Sequence, residues 1–97
     1  MITSKDNPTV KLARALGRNK KIRHEKQLFI LENKHFIKEW IQTKPSAIKT
    51  ILYTENNKPT NIPTDIETIE IETKLFSQIN RTLHKSNFNS NLALRFK

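Results

Sequence analysis

The chain has 97 residues, 35% of them hydrophobic and 28% charged, no cysteine, and a formal net charge of +9. That length makes one small domain, polar but able to bury a core of its own. Without cysteine there is no disulfide framework and no thiolate metal site, and no stretch reaches the roughly 20 apolar residues of a membrane span.

The N-terminal segment carries the densest charge: residues 1–26 sum to +6. Asn7 before Pro8 is a strong helix start, a capping side chain followed by proline at the first helical position. Gly17, the single glycine, sits where such a helix would stop, which predicts a helix from Pro8 to Leu16. At 100° per residue from Val10, the side chains of Leu12, Ala13 and Leu16 centre near about 250°, while Lys11, Arg14 and Arg18 fall between about 40° and 100°. One face can therefore pack on a core while the other carries positive charge only. Residues 17–27 then read as a basic connector, with room for some helix, holding Arg18, Lys20, Lys21, Arg23, His24 and Lys26.

The run Leu28 to Leu31 has the look of a strand buried on both faces. A helix over 33–43 follows, with Phe36, Ile37, Trp40 and Ile41 as its apolar stripe and Pro45 ending it. Ile48 to Tyr53 is a second strand, residues 56–64 a polar loop, and Glu67 to Ile71 a strand exposed on one side. Thr73 can cap a helix whose stripe is Leu75, Phe76, Ile79 and Leu83. An Asn/Ser-rich loop, 84–91, leads to a last strand, Leu92 to Phe96. Helices alternating with strands imply an α/β fold, a mixed or mostly parallel sheet covered on both faces.

The charge is uneven: residues 27–54 sum to +2, residues 55–72 to −4 and residues 73–97 to +5. A basic excess so distributed attracts polyanions through phosphate neutralisation and counterion release. Catalytic patterns are missing. His24, His35 and His84 are scattered without ligand spacing, one glycine cannot build a phosphate-cradling loop, and Glu67, Glu70 and Glu72 read as the solvated face of their strand. Phe88 suits either base stacking or closure of the sheet edge. Arginines fork onto phosphates, so Arg14, Arg18 and Arg23 are the leading candidates, in a surface that reads backbone and shape more than base identity.

The ordered set Ser4-Lys5-Asp6-Asn7-Pro8, Val10-Lys11, Lys20-Lys21-Ile22-Arg23 and Phe29-Ile30-Leu31-Glu32 resembles the N-terminal substrate-binding domain of the SpoU/TrmH-type RNA ribose 2′-O-methyltransferases. The likeness continues through Phe36/Trp40, Ile51-Leu52-Tyr53 and Leu75-Phe76. It implies a three-layer α/β/α sandwich with a mixed sheet, similar to that of kink-turn-binding ribosomal proteins. It also implies that residues 1–97 hold structured RNA, ribosomal or transfer, while a separate knotted domain binds S-adenosylmethionine and transfers the methyl group. No cofactor and no metal is then expected in residues 1–97. In that reading Lys11, Arg14, Arg18, Lys20, Lys21 and Arg23 hold phosphates, and Arg81, Lys85 and Arg95 extend the surface. Two family glycines are replaced: Asn33 follows Glu32, and Asn89-Ser90-Asn91 precedes the last strand. Asparagine is the natural substitute where left-handed backbone is required.

The expected setting is the cytoplasm, with structured RNA and a methyltransferase domain as partners, no membrane, and a monomeric isolated chain. Two other readings are a free-standing module that binds structured RNA in a ribonucleoprotein, and an interaction domain whose acidic strand, Glu67 to Glu72, meets a basic protein. Removing Arg14, Arg18 and Arg23 together should weaken RNA binding and flatten its salt dependence; unchanged affinity would sink the assignment.

Overall fold

The computed structural model describes residues 1–82 and 91–96. The elements are α1 (Pro8–Arg18), α2 (Lys20–Lys26), β1 (Leu28–Glu32), α3 (Lys34–Thr43), a 3₁₀ turn (Pro45–Ala47), β2 (Ile48–Thr54), β3 (Glu67–Ile71), α4 (Thr73–Thr82) and β4 (Asn91–Phe96). The four strands form one mixed sheet in the order β1-β4-β2-β3. β4 runs antiparallel to both β1 and β2, and β3 lies parallel to β2.

Strand alternation sends two sets of side chains to opposite sides of this sheet. Leu28, Leu52, Ile71, Leu92 and Leu94 meet Val10, Ala13 and Leu16 of α1 and Leu75, Phe76 and Ile79 of α4. Ile48, Ile51 and Ala93 meet Ile37 of α3, with Ile66 closing that cluster. The result is the three-layer α/β/α arrangement expected from the sequence. A bulge at Lys49 serves both layers. β2 advances two residues, from Ile48 to Thr50, while its partner moves only from Arg95 to Leu94. Ile48 is thereby turned toward α3, and Thr50 toward α1 and α4.

Several local expectations change. Gly17 does not end α1, and no glycine here has a positive φ. The helix continues to Arg18 and breaks at Asn19, whose extended backbone (φ −128°, ψ 109°) closes α1 while its side chain accepts from Lys21 N and starts α2. Most of the expected connector is therefore helix, ended by left-handed Gln27 (φ 54°). β1 is buried only at Leu28, because it pairs with β4 on one side and forms a sheet edge on the other. Phe36 leaves the predicted stripe of α3: it is 51% exposed, while Ile37 is 2% exposed. Glu67 shares its strand face with Ile69 and Ile71 and accepts a hydrogen bond from Thr50 Oγ1 (3.1 Å), so the three glutamates do not form one face. The first backbone bond of α4 joins Phe76 N to Glu72 O, which places Glu72, not Thr73, at the cap. Leu83, His84, Phe88 and the Asn89-Ser90 pair lie outside the described residues.

Asn7 caps α1 as expected, its side-chain oxygen accepting from Thr9 N (2.9 Å) and Val10 N (3.3 Å). The segment before it is anchored to the sheet edge, since Ile2 N donates to Glu70 O and Glu72 N donates to Ile2 O. Asn33 takes a positive φ (80°) and caps α3 by accepting from His35 N (2.8 Å). A positive φ is what the expected family glycine at this position would favour, and the asparagine side chain adds a cap to it. Asn33→Gly should hold stability or raise it by up to ~1 kcal/mol, whereas Asn33→Ala, losing the cap and retaining a strained φ, should cost about 2 kcal/mol. Urea unfolding of the two variants checks this, and equal losses would contradict it.

Candidate nucleic-acid interface

The buried stripe of α1 is Val10, Ala13 and Leu16, each 0% exposed. Successive 100° steps put its centre near 300° from Val10, about 50° away from the direction inferred with Leu12 in the stripe. The opposite side therefore carries Lys11 and Arg18, both exposed, whereas Arg14 lies on the flank and is half-buried. Arg14 Nε is shut off from solvent and meets no acceptor among the described residues.

α2 continues this surface. None of its residues is buried, and Lys20 and Lys21 stand in solvent directly after the break at Asn19. Its apolar hold on the domain is Ile22, which packs against the α1/α4 core cluster. Arg23 is half-buried and donates from Nη1 to Leu16 O at 2.7 Å, so one arm of its guanidinium caps the end of α1. Four exposed cations stand on the two helices joined at this break: Lys11 and Arg18 on one, Lys20 and Lys21 on the next. Arg81 is exposed in the last turn of α4, in the same layer as α1.

Lys85 lies outside the described residues. Arg95 is placed elsewhere. It stands on the α3 side of the sheet, its guanidinium carbon 5.1 Å from the ring centroids of both Phe29 and Trp40, and donates from Nη1 to Phe96 O. The strand register explains this position, because Phe29 is the direct cross-strand partner of Arg95. Two aromatic faces hold this cation against the domain, so its first role is packing.

The α3 side also carries an aromatic that apolar periodicity assigns to the core. Phe36 projects into solvent beside the His35 ring, centroids 6.2 Å apart and planes inclined at 57°. The signal is present in the spacing: Phe36 is 100° from Ile37, on the rim of the stripe rather than its centre. A groove of about 210 Å³ opens between α3 and the β2–β3 loop, lined by Ile37, Ile41 and Ile62 below and by Lys34, Lys38 and Asn61 at its rim. Among the described residues no three His, Asp or Glu side chains gather as metal ligands would, and no helix is long and apolar enough to cross a membrane.

Fold and surface together describe a compact α/β/α domain with a cationic pair of helices on one outer layer. The family model for the MRM3-like substrate binding domain matches residues 7–85, and the chain belongs to that family. An rRNA methyltransferase from Sinorhizobium meliloti contains the same fold, with a TM-score of 0.77 and 25% identity over 99% of this chain. An RNA 2′-O ribose methyltransferase (TM-score 0.70, 20% identity, 98% of this chain) and the SpoU methyltransferase AviRb from Streptomyces viridochromogenes (0.71, 14%, 93%) share it too. The chain spans 36% of the length of the first two and 35% of the third. No curated protein matches the sequence. The resemblance read from the N-terminal motifs thus identifies the family correctly, and with it the substrate-binding domain of SpoU/TrmH-type enzymes.

If Arg95 is held mainly by its two rings, Arg95→Gln should lower stability by roughly 1–2 kcal/mol, the worth of two partly desolvated cation–π contacts. Its effect on RNA affinity should be less than about twofold, since other cations neutralise the phosphates. Thermal unfolding and a binding titration on one variant read both quantities, and a large drop in affinity with stability unchanged would reverse the assignment.

Proposed function

We propose that this chain is the RNA-holding domain of a ribose 2′-O-methyltransferase that acts on ribosomal or transfer RNA in the cytoplasm. The observation that carries the reading is the set of exposed cations Lys11, Arg18, Lys20 and Lys21 on the outer side of α1 and α2, in a chain belonging to a substrate-binding domain family. Their work is electrostatic. Each ammonium or guanidinium neutralises a backbone phosphate and releases condensed counterions, which supplies affinity without reading sequence. Arg14 and Arg23 stand at the margins of this surface, and Arg81 extends it.

Met1, Phe36 and Phe96 are the large apolar side chains that stand exposed among the described residues, and none belongs to α1 or α2. Apart from His24, the surface therefore offers charge rather than aromatic faces, which suits a folded RNA presented by its backbone. In this reading S-adenosylmethionine and the methyl transfer belong to a separate catalytic domain.

The test is a salt series with structured ribosomal RNA fragments, transfer RNA and duplex DNA, using the parent chain and Lys11→Gln/Arg18→Gln/Lys20→Gln/Lys21→Gln. The parent should prefer folded RNA. The variant's slope of log affinity against log salt should be shallower by roughly 0.7–0.9 for each phosphate it no longer neutralises. Equal, weak binding of the parent to RNA and DNA would reduce the charge to a generic property.

A further inference from the structure

Seven residues cannot hold a helix in water by propensity alone. α2 has that length, buries no residue, and places Lys20, Lys21, Arg23 and Lys26 against a single Glu25. Its own charges therefore push it apart, and something outside it must hold it in place. Two contacts do so. Ile22 rests on the α1/α4 core cluster, and Arg23 reaches back over the break at Asn19 to Leu16 O.

The acceptor is well suited to that task. The last four carbonyls of a helix lack intrahelical donors, and the helix dipole leaves them negative. In α1 the Ala15 carbonyl is taken by Asn19 N, and the next, Leu16 O, receives the guanidinium at 2.7 Å. A cation on a C-terminal carbonyl is a favourable cap, and here the cap belongs to the following helix. This bond therefore caps a second carbonyl of α1 and, together with the Asn19 break, holds the direction in which α2 leaves it.

We infer that Arg23 is a positioning residue, a staple from α2 to the end of α1 that aligns Lys20 and Lys21 with Arg18 on one phosphate-binding surface. It acts through those residues rather than as an independent phosphate ligand. The RNA half of this inference rests on the proposed function; the staple itself does not.

The test uses Arg23→Gln and Arg23→Lys in the whole chain. In the free protein, amide hydrogen exchange across residues 21–26 should quicken in Arg23→Gln by roughly tenfold or more, with the sheet amides unchanged, because only a local opening is made easier. Lys21→Gln, which relieves repulsion but removes no staple, should not quicken those rates. Arg23→Lys, which keeps the charge but not the planar fork, should recover part of the protection. For RNA, Arg23→Gln should weaken binding roughly fivefold to tenfold in the parent but less than about twofold in a Lys20→Gln/Lys21→Gln background, the non-additivity of residues that act as a unit.

Unchanged exchange in Arg23→Gln would overturn the staple. Quickened exchange with an equal drop in affinity in both backgrounds would make Arg23 a phosphate ligand in its own right and overturn the positioning role. If the parent bound no RNA even at low salt, the proposed function and the RNA half of the inference would fall together, while the exchange data would still decide the staple.

Discussion

β4 lies between β1 and β2, antiparallel to both, and buries Leu92, Ala93 and Leu94 almost completely. Every other layer is arranged around that strand. Leu92 and Leu94 face α1 and α4, and Ala93, with no more than a methyl group, leaves room for Ile37 of α3. With both faces of the central strand in need of cover, α1 has to lie with Val10, Ala13 and Leu16 against the sheet. Truncating one such large apolar side chain would cost about 2–5 kcal/mol, several times what an exposed charge pair contributes. Packing therefore decides which way the cations of α1 point, and Lys11 and Arg18 are directed outward as a consequence.

The break at Asn19 turns one amphipathic helix into a surface. A continuous helix from Pro8 to Lys26 would carry its charges around the axis and away from the sheet. Asn19 ends α1 with its extended backbone and starts α2 with its side chain, so that Lys20 and Lys21 follow Arg18 on a new helix. The opposite side of the domain has a different character. There Arg95 is held between Phe29 and Trp40, Phe36 stands in solvent, and a groove runs beside α3. On this side Lys34 and Lys38 stay exposed while Arg95 is tied into packing.

Membership of the MRM3-like substrate binding domain family gives these features their context. In the solved methyltransferases that share the fold, the matching region accounts for about a third of the chain. A domain of this size can hold a polyanion with little chemistry of its own, since phosphate contacts need charge and position rather than a reactive constellation. Asn33 holds a positive φ where its side chain caps the helix it begins, which offsets part of the cost of that backbone.

Local chemistry makes much of this legible from residues alone. The Asn7-Pro8 start, the end of α3 before Pro45, the strands at 28, 48 and 67, the last strand to within one residue, and the charge of the N-terminal segment follow from capping, proline geometry and apolar periodicity, all written within a few residues. The family is readable too, from the order of short motifs. What periodicity cannot supply is the partner of each face. Leu12 and Val10 are equally apolar, and only the direction of the sheet makes Val10 the core residue and turns Arg14 to the flank. β1 resembles a strand buried on both sides because its residues are apolar, but strand order puts it at an edge. Arg95 reads as one more surface cation until the register sets it opposite Phe29 and beside Trp40. Arg23 reads as free until α2 folds back on the end of α1. The sequence by itself determined the elements, the polarity and the ancestry, because those depend on neighbours along the chain; the tertiary structure decided which cations remain free, because burial and carbonyl acceptors come from residues distant in sequence.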